Sequence, residues 1–219
     1  KTPLKDFKNI RKNGLIALNL REGDELLRAK ITYGDADIIF VTQDGNAIRF
    51  NETDVRPMGR TASGVKAISL REGDVAVCMD IAVEDEKLLV VSENGYGKRT
   101  NLDEYKVQNR GGIGLITYKV SDKTGKVVGA TVCKEDDELM LINNQGVAIR
   151  INVSDISVTS RSAMGVKLMR TLEDEAVVTI AKISGDTNEE EEEMTLLDEP
   201  EDTNIIVEEV ATEVKDEEN

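Results

Sequence analysis

The heptapeptide QNRGGIG, Gln108 to Gly114, sets Asn109 and one guanidinium, Arg110, beside Gly111, Gly112 and Gly114 in a stretch that otherwise reads as β-strand. Glycine removes the Cβ that keeps a ligand away from the main chain, so amides bared in this way can close on a phosphate that an arginine holds. Anion recognition is the chemistry this segment points to. Catalysis has poorer material. The chain contains no histidine, which excludes a Ser-His-Asp triad, a histidine zinc site and a histidine acid–base catalyst. The acids Asp80, Glu84, Asp85 and Glu86 have neither a nucleophile nor a glycine-rich cradle nearby and read as a solvated hairpin. Cys78 and Cys133 each sit within an apolar run and fit buried free thiols in a reducing compartment; no disulfide, metal site or cofactor site is indicated.

Arg110 belongs to a set of bases that recur in phase. Four positions before a marker glycine stand Ile10, Arg60, Arg110 and Arg161, with Arg11 shifted by one place and Lys12 beside it; two positions after the glycine come Lys66 and Lys167. A second phase, at the ends of hairpins, carries Lys1, Arg49, Lys98 with Arg99, and Arg150; Lys5, Lys8, Arg56 and Lys106 fall in the connecting segments. Bases that return at one phase of a repeat gather on one edge of the fold. A curved basic rim gains affinity for bent duplex DNA by releasing counterions, without reading bases. The seven aromatics, three Phe and four Tyr, mostly occupy strand phases, which argues against the stacking platforms that single strands require.

The elements that position these bases follow from self-comparison. NGLIALNLREGDELL at Gly14 matches SGVKAISLREGDVAV at Gly64, IGLITYKVSDKTGKVV at Gly114 and MGVKLMRTLEDEAVV at Gly165, a period of 50, 50 and 51 residues. A second marker, at Gly45, Gly95 and Gly146, keeps the same step. Such a period signals a propeller, a solenoid or an array. Within one unit the pattern predicts a short apolar run over 14–20, a REGD turn, an alternating strand over 25–33, a buried strand over 37–42, a glycine hairpin and a closing strand over 46–50. Four strands in about fifty residues predict an all-β, propeller-like ring of four-stranded blades, at 14–50, 64–100 and 114–150. The unit from Gly165 supplies only two strands before Ile183; this half blade is expected to be completed by an upstream strand or by NIIVEEV, residues 204–210.

Charge divides the chain in two. Residues 186–219 hold 16 acids and one lysine, whereas the preceding 185 hold 27 acids and 27 bases, so the formal net charge of -15 resides in the tail. The body, 1–185, is expected to carry 3.5 to 4 blades with a truncated first repeat, and the tail to be largely disordered. It reads as a solubilising segment or as a polyanion that competes for the basic face. No apolar run approaches the roughly 18 residues of a membrane span, and no signal peptide is visible. Because Lys1 is not a natural start, an excised fragment with at least one repeat upstream is expected.

The repeats, the GxxxR hairpin ends, the REGD turns and above all LDEYKVQNRGGIG, residues 102–114, resemble the C-terminal domain of DNA gyrase A. The resemblance covers residues 1–185, and the acidic tail is similar in kind to the tails of gyrase A proteins. It implies a β-pinwheel whose blades exchange a strand and which wraps duplex DNA around its outer rim with positive handedness. The domain would serve ATP-driven negative supercoiling by a holoenzyme of gyrase A and gyrase B in the bacterial cytoplasm, at the nucleoid. Strand cleavage would lie elsewhere, so this stretch is expected to be non-catalytic. The family's box has the form Q-R-R-G-G-[RK]-G; here Asn109 and Ile113 replace two of its three bases, which implies a weaker, degenerate copy in a later blade. The corresponding domain of topoisomerase IV and a protein-binding propeller are the alternatives.

Overall fold

The hairpins form where apolar runs meet a glycine able to take a positive φ. In the computed structural model, which describes residues 1–185, β1 (Asp37–Thr42) and β2 (Asn46–Asn51) pair antiparallel around a loop in which Gly45 has φ +82°. The same hairpin recurs as β4 (Lys87–Ser92) with β5 (Tyr96–Asn101), and as β8 (Glu138–Asn143) with β9 (Ala148–Asn152). Short loops carrying a left-handed glycine, three residues long in the first two hairpins and four in the third, match the right-handed twist of the strands they join. The remaining strands are long, β3 (Ala76–Ala82), β7 (Val127–Cys133) and β11 (Val177–Ile183), or two residues short, β6 (Leu115–Ile116) and β10 (Val166–Lys167).

The fifty-residue unit of the sequence is not the unit of the sheet. The first sheet runs β3-β1-β2-β6, the second β10-β5-β4-β7 and the third β11-β8-β9. Each hairpin therefore takes its long strand from the following repeat, and the first two take a short strand from the repeat after that. The expected self-contained blades at 14–50, 64–100 and 114–150 are corrected accordingly. Residues 165–183 are likewise no half blade: β10 closes the second sheet and β11 opens the third. The expected strands at 14–20 and 25–33 are absent, because the equivalents of 25–33 pair with the hairpin of a preceding repeat and residues 1–13 hold no hairpin. The candidate strand 204–210 and the acidic tail lie outside the described residues.

Residues 1–185 form one compact unit whose core is laminated between sheets. Leu88 and Val90 of β4 join Ile39, Val41, Tyr105 and Tyr118 in one cluster; Leu89 and Val91 of the same strand join Leu139, Leu141, Val153 and Ile156 in the next. A strand covered on both faces reads as the continuous run LLVV, and each such side chain contributes roughly 1.5–3 kcal/mol by leaving water. Asp80, expected in a solvated turn, lies inside β3 and is buried, 3.0 Å from Lys30 and accepting from the Thr131 hydroxyl and the Val132 amide. Cys78 and Cys133 are buried, and burial pushes both thiols up to about 12, far from the thiolate form that reacts.

Candidate nucleic-acid interface

After each hairpin runs a connector, and Arg56, Arg60, Lys106, Arg110 and Arg161 lie along these connectors. Each begins with a one-turn 3-10 helix, Glu52–Asp54, Leu102–Glu104 or Val153–Asp155. The second connector then passes beside the last strand of the hairpin one repeat earlier: the Gln108 amide donates to the Arg49 carbonyl at 2.8 Å. The third does the same on β5, where the Thr159 amide donates to the Arg99 carbonyl at 2.8 Å. Backbone pairing of this kind orders the loops, so the bases they carry are held rather than trailing.

The QNRGGIG turn is built for protein contact. Arg110 donates from Nε to the Asp54 carbonyl at 3.2 Å and from Nη1 to the Lys66 carbonyl at 3.1 Å. Gly111, at φ +83°, donates its amide to the Ala67 carbonyl at 2.6 Å, while its own carbonyl accepts from the Ser69 hydroxyl. The Gly112 carbonyl takes the Ser69 amide at 2.8 Å. The close approach that glycine permits here is main chain to main chain, and the Gly111 amide, expected to cradle a phosphate, is engaged within the protein. Gly114 is required by its surroundings: a Cβ there would stand 2.3 Å from the Ala47 carbonyl oxygen.

The hairpin-end bases serve the junctions between sheets. Arg49 pairs with Asp37 at 2.7 Å and donates to the Leu102 carbonyl at 2.9 Å. Arg99, 4% exposed, donates to the Ile156 and Ser154 carbonyls and to Glu135. Lys98 is fully buried, its ammonium on the Ser160 and Arg161 carbonyls and 5.8 Å from the Tyr118 ring centre. Burial pulls that ammonium down to about 8, with Glu104 opposing and Arg161 assisting. Phase makes Lys98 and Arg99 candidates for phosphate contact; the structure places their charged ends inside, because a connector closes over the strand that carries them. Arg150, on β9, stays exposed and pairs with Glu138.

What remains on the surface is a smaller set. Arg11, Lys12, Arg56, Lys66, Lys106 and Lys167 are exposed, and Arg60, Arg110 and Arg161 are half-buried guanidinium groups with N–H donors to spare. Gln108 is half-buried and Asn109 exposed beside them. Sequence reasoning misses Lys123, whose ammonium lies 5.6 Å from the Tyr96 ring centre. The signal is present in the repeat alignment, where SDKTGK replaces the acidic REGD turn. Among the described residues, no three Cys, Asp or Glu side chains converge to hold a metal ion, and no helix is long and apolar enough to cross a membrane.

Strand-exchanging sheets with bases on successive connectors define a repeat protein of the β-propeller class. A family profile described as "DNA gyrase C-terminal domain, beta-propeller" matches residues 1–32, 36–77, 86–134 and 137–184. The chain belongs to that family. It is 67% identical over 193 residues to the DNA gyrase A protein of Clostridium acetobutylicum, covering 88% of this chain and 23% of that protein. With the DNA gyrase A protein of Staphylococcus aureus strain MRSA252 it shares 41% identity over 195 residues, again 88% of this chain and 22% of the relative. The chain thus spans under a quarter of the length of these relatives. Among solved structures, a DNA gyrase A C-terminal domain superposes with a TM-score of 0.72 at 34% identity, covering 79% of this chain and 59% of the other. A C-terminal domain of DNA topoisomerase IV gives 0.82 at 26% identity, with 90% and 62% covered.

Proposed function

We propose that residues 1–185 bind duplex DNA through phosphate contacts and bend it along the connector edge, as the non-catalytic wrapping domain of a gyrase A protein. The observation that carries this reading is the equivalence of Arg56 with Lys106, and of Lys66 with Lys167: exposed bases at matched positions of different repeats, in a chain of the gyrase C-terminal family. Contacts to phosphate position a duplex without specifying its sequence, and spacing them over several sheets favours a curved path. The identity of 67% to a gyrase A protein favours gyrase over the topoisomerase IV alternative, whose likeness lies at 26%. A protein-binding propeller would leave the matched bases without a role.

In the longer protein this domain would act beside the rest of gyrase A and with gyrase B, in the bacterial cytoplasm at the nucleoid, while strand cleavage and ATP hydrolysis proceed elsewhere. The test is topological. Nicked circular plasmid is religated on the bound chain, deproteinised and resolved on a gel. A shift in linking number that grows with protein supports wrapping; binding without any shift rejects wrapping, and no retention of duplex at low salt rejects the DNA reading itself.

A further inference from the structure

Three elements from three repeats converge on Asn94 in the turn of the second hairpin. The Asn94 side-chain amide donates to the carbonyls of Asp122 and Lys123, each at 3.1 Å, and its main-chain amide donates to the Thr124 carbonyl at 3.0 Å, which pins the turn that presents Lys123. The Asn94 carbonyl accepts from the Lys167 ammonium at 2.7 Å. Lys167 lies in β10, register partner of Tyr96 on β5. Between them stands the half-buried Tyr96 ring, with the Lys167 nitrogen 4.7 Å and the Lys123 nitrogen 5.6 Å from its centre.

We propose that Tyr96, Lys123 and Lys167 form a phosphate-binding post for duplex DNA, particular to the junction that β10 makes with the second hairpin; this rests on the DNA reading above. Two ammonium groups attracted to one ring lie at most about 10 Å apart and repel each other. Neither forms an ion pair among the described residues. A phosphodiester at the ring edge would relieve that repulsion and take donors from both. Of the carboxylates near in sequence, Glu93 and Asp122, the former accepts from the Lys126 amide at 2.8 Å.

The preceding junction shows what the post replaces. At the first hairpin Asn46 stands where Tyr96 would be, Ile116 where Lys167 would be, and the REGD turn of residues 71–74 where SDKTGK would be. There Asp74 is buried and accepts the Asp44 amide at 2.9 Å. The first turn is held by an acid, with Lys126 3.4 Å from Asp44 at its edge; the second is held by main-chain carbonyls and presents two bases. Phosphate attraction would therefore be uneven along the rim, and strongest where β10 meets the second hairpin.

The experiment uses the full 219-residue chain and a fluorescein-labelled duplex of about 40 base pairs over a salt series. The variant K123Q/K167Q is expected to bind more weakly, with a log–log salt slope shallower by about 0.9, the contribution of the one phosphate contact that both ammonium groups share. In parallel, nitration of the unaltered chain by tetranitromethane should modify Tyr96 and the 99% exposed Tyr33, and duplex should protect Tyr96 selectively. An unchanged slope in a variant of native circular dichroism overturns the post while leaving DNA binding intact. So does equal protection of both tyrosines, or protection of Tyr96 by nucleoside triphosphate but not by duplex. Absence of any duplex binding by the unaltered chain overturns both readings.

Discussion

The guanidinium of Arg110 reaches back 44 residues to the carbonyl of Lys66, at 3.1 Å. The relation is repeated: Arg60 donates to the Ile16 carbonyl at 2.5 Å and Arg161 to the Ile116 carbonyl at 3.1 Å. Each arginine four places before a marker glycine therefore staples its connector to the segment after the marker glycine of the repeat before. A guanidinium suits this role because its planar fork holds fixed acceptors while further N–H groups face out. Staple and phosphate ligand are compatible duties for one side chain.

Separating the two duties calls for a pair of variants. Arg110→Lys keeps the charge but not the fork, and should retain the wild-type salt slope for duplex while amides of residues 108–112 exchange faster. Arg110→Ala should lose about one phosphate contact, a slope shallower by about 0.9, and show the same faster exchange. Equal slopes for wild type and Arg110→Ala would leave the arginine as a staple alone.

Arg99 should behave in the opposite manner. Its truncation leaves the Ile156 and Ser154 carbonyls without their donor at a sealed junction, so Arg99→Ala is expected to cost about 2–4 kcal/mol in urea unfolding. The salt slope of the folded fraction should not move. Lys106→Ala provides the converse, a shallower slope at unchanged stability, because Lys106 is exposed.

Much of this architecture is legible in the chain, and the parts that are not share one cause. Hairpins depend on local chemistry, a left-handed glycine after an apolar run, so β1 with β2 and their two copies fall where Gly45, Gly95 and Gly146 place them. Strand exchange is not local. That Ala76–Ala82 pairs with Asp37–Thr42 and not with its own repeat follows from how neighbouring sheets stack, which a period cannot express. The fate of Lys98 is of the same kind: its phase marks it as a rim base, but a connector some sixty residues later supplies the carbonyls that cover it. Lys106, Arg56 and Lys66 are legible because their connectors are exposed whichever way the sheets are paired.

Repeat glycines that look alike should differ in their tolerance of a side chain. Gly114 and Gly64 share a positive φ, +74° and +79°, but a Cβ on Gly114 would strike the Ala47 carbonyl, whereas one on Gly64 meets nothing within 4 Å. Gly64→Ala should cost about 1–2 kcal/mol, the penalty of the left-handed backbone alone. Gly114→Ala should cost more and detach β6 from β2, visible as a larger fall in the urea midpoint and lost protection of the Thr117 amide.

Acid should act through Glu52, buried where the other repeats place Leu102 and Val153. Burial alone would raise its carboxyl, but donors from Lys1, Ala36, Thr32 and Gly34 outweigh it and hold the group at about 2, against an ordinary 4.5. A carboxylate lowered in the folded state stabilises fully above the unfolded value, and that contribution is lost as pH falls through the folded one. Urea unfolding should thus weaken between about pH 4.5 and 2. Glu52→Gln should start less stable at neutral pH and show a flatter decline over the same interval.

The tail gives the last test. Residues 186–219 carry 16 acids and one lysine on a body whose 27 acids and 27 bases cancel, so the duplex meets a chain repelled mainly by its own C-terminal segment. Deleting 186–219 should tighten duplex binding, and the gain should be largest at low ionic strength, where the Debye length is longest. If the tail competes for the connectors themselves, adding it back as a separate peptide should restore weaker binding and return protection to Lys106 and Lys66 in lysine-modification mapping. If it acts only as net charge, the peptide in trans should have little effect at equimolar concentration. Equal affinity with and without the tail at low salt would reject both mechanisms, leaving the segment a solubilising role.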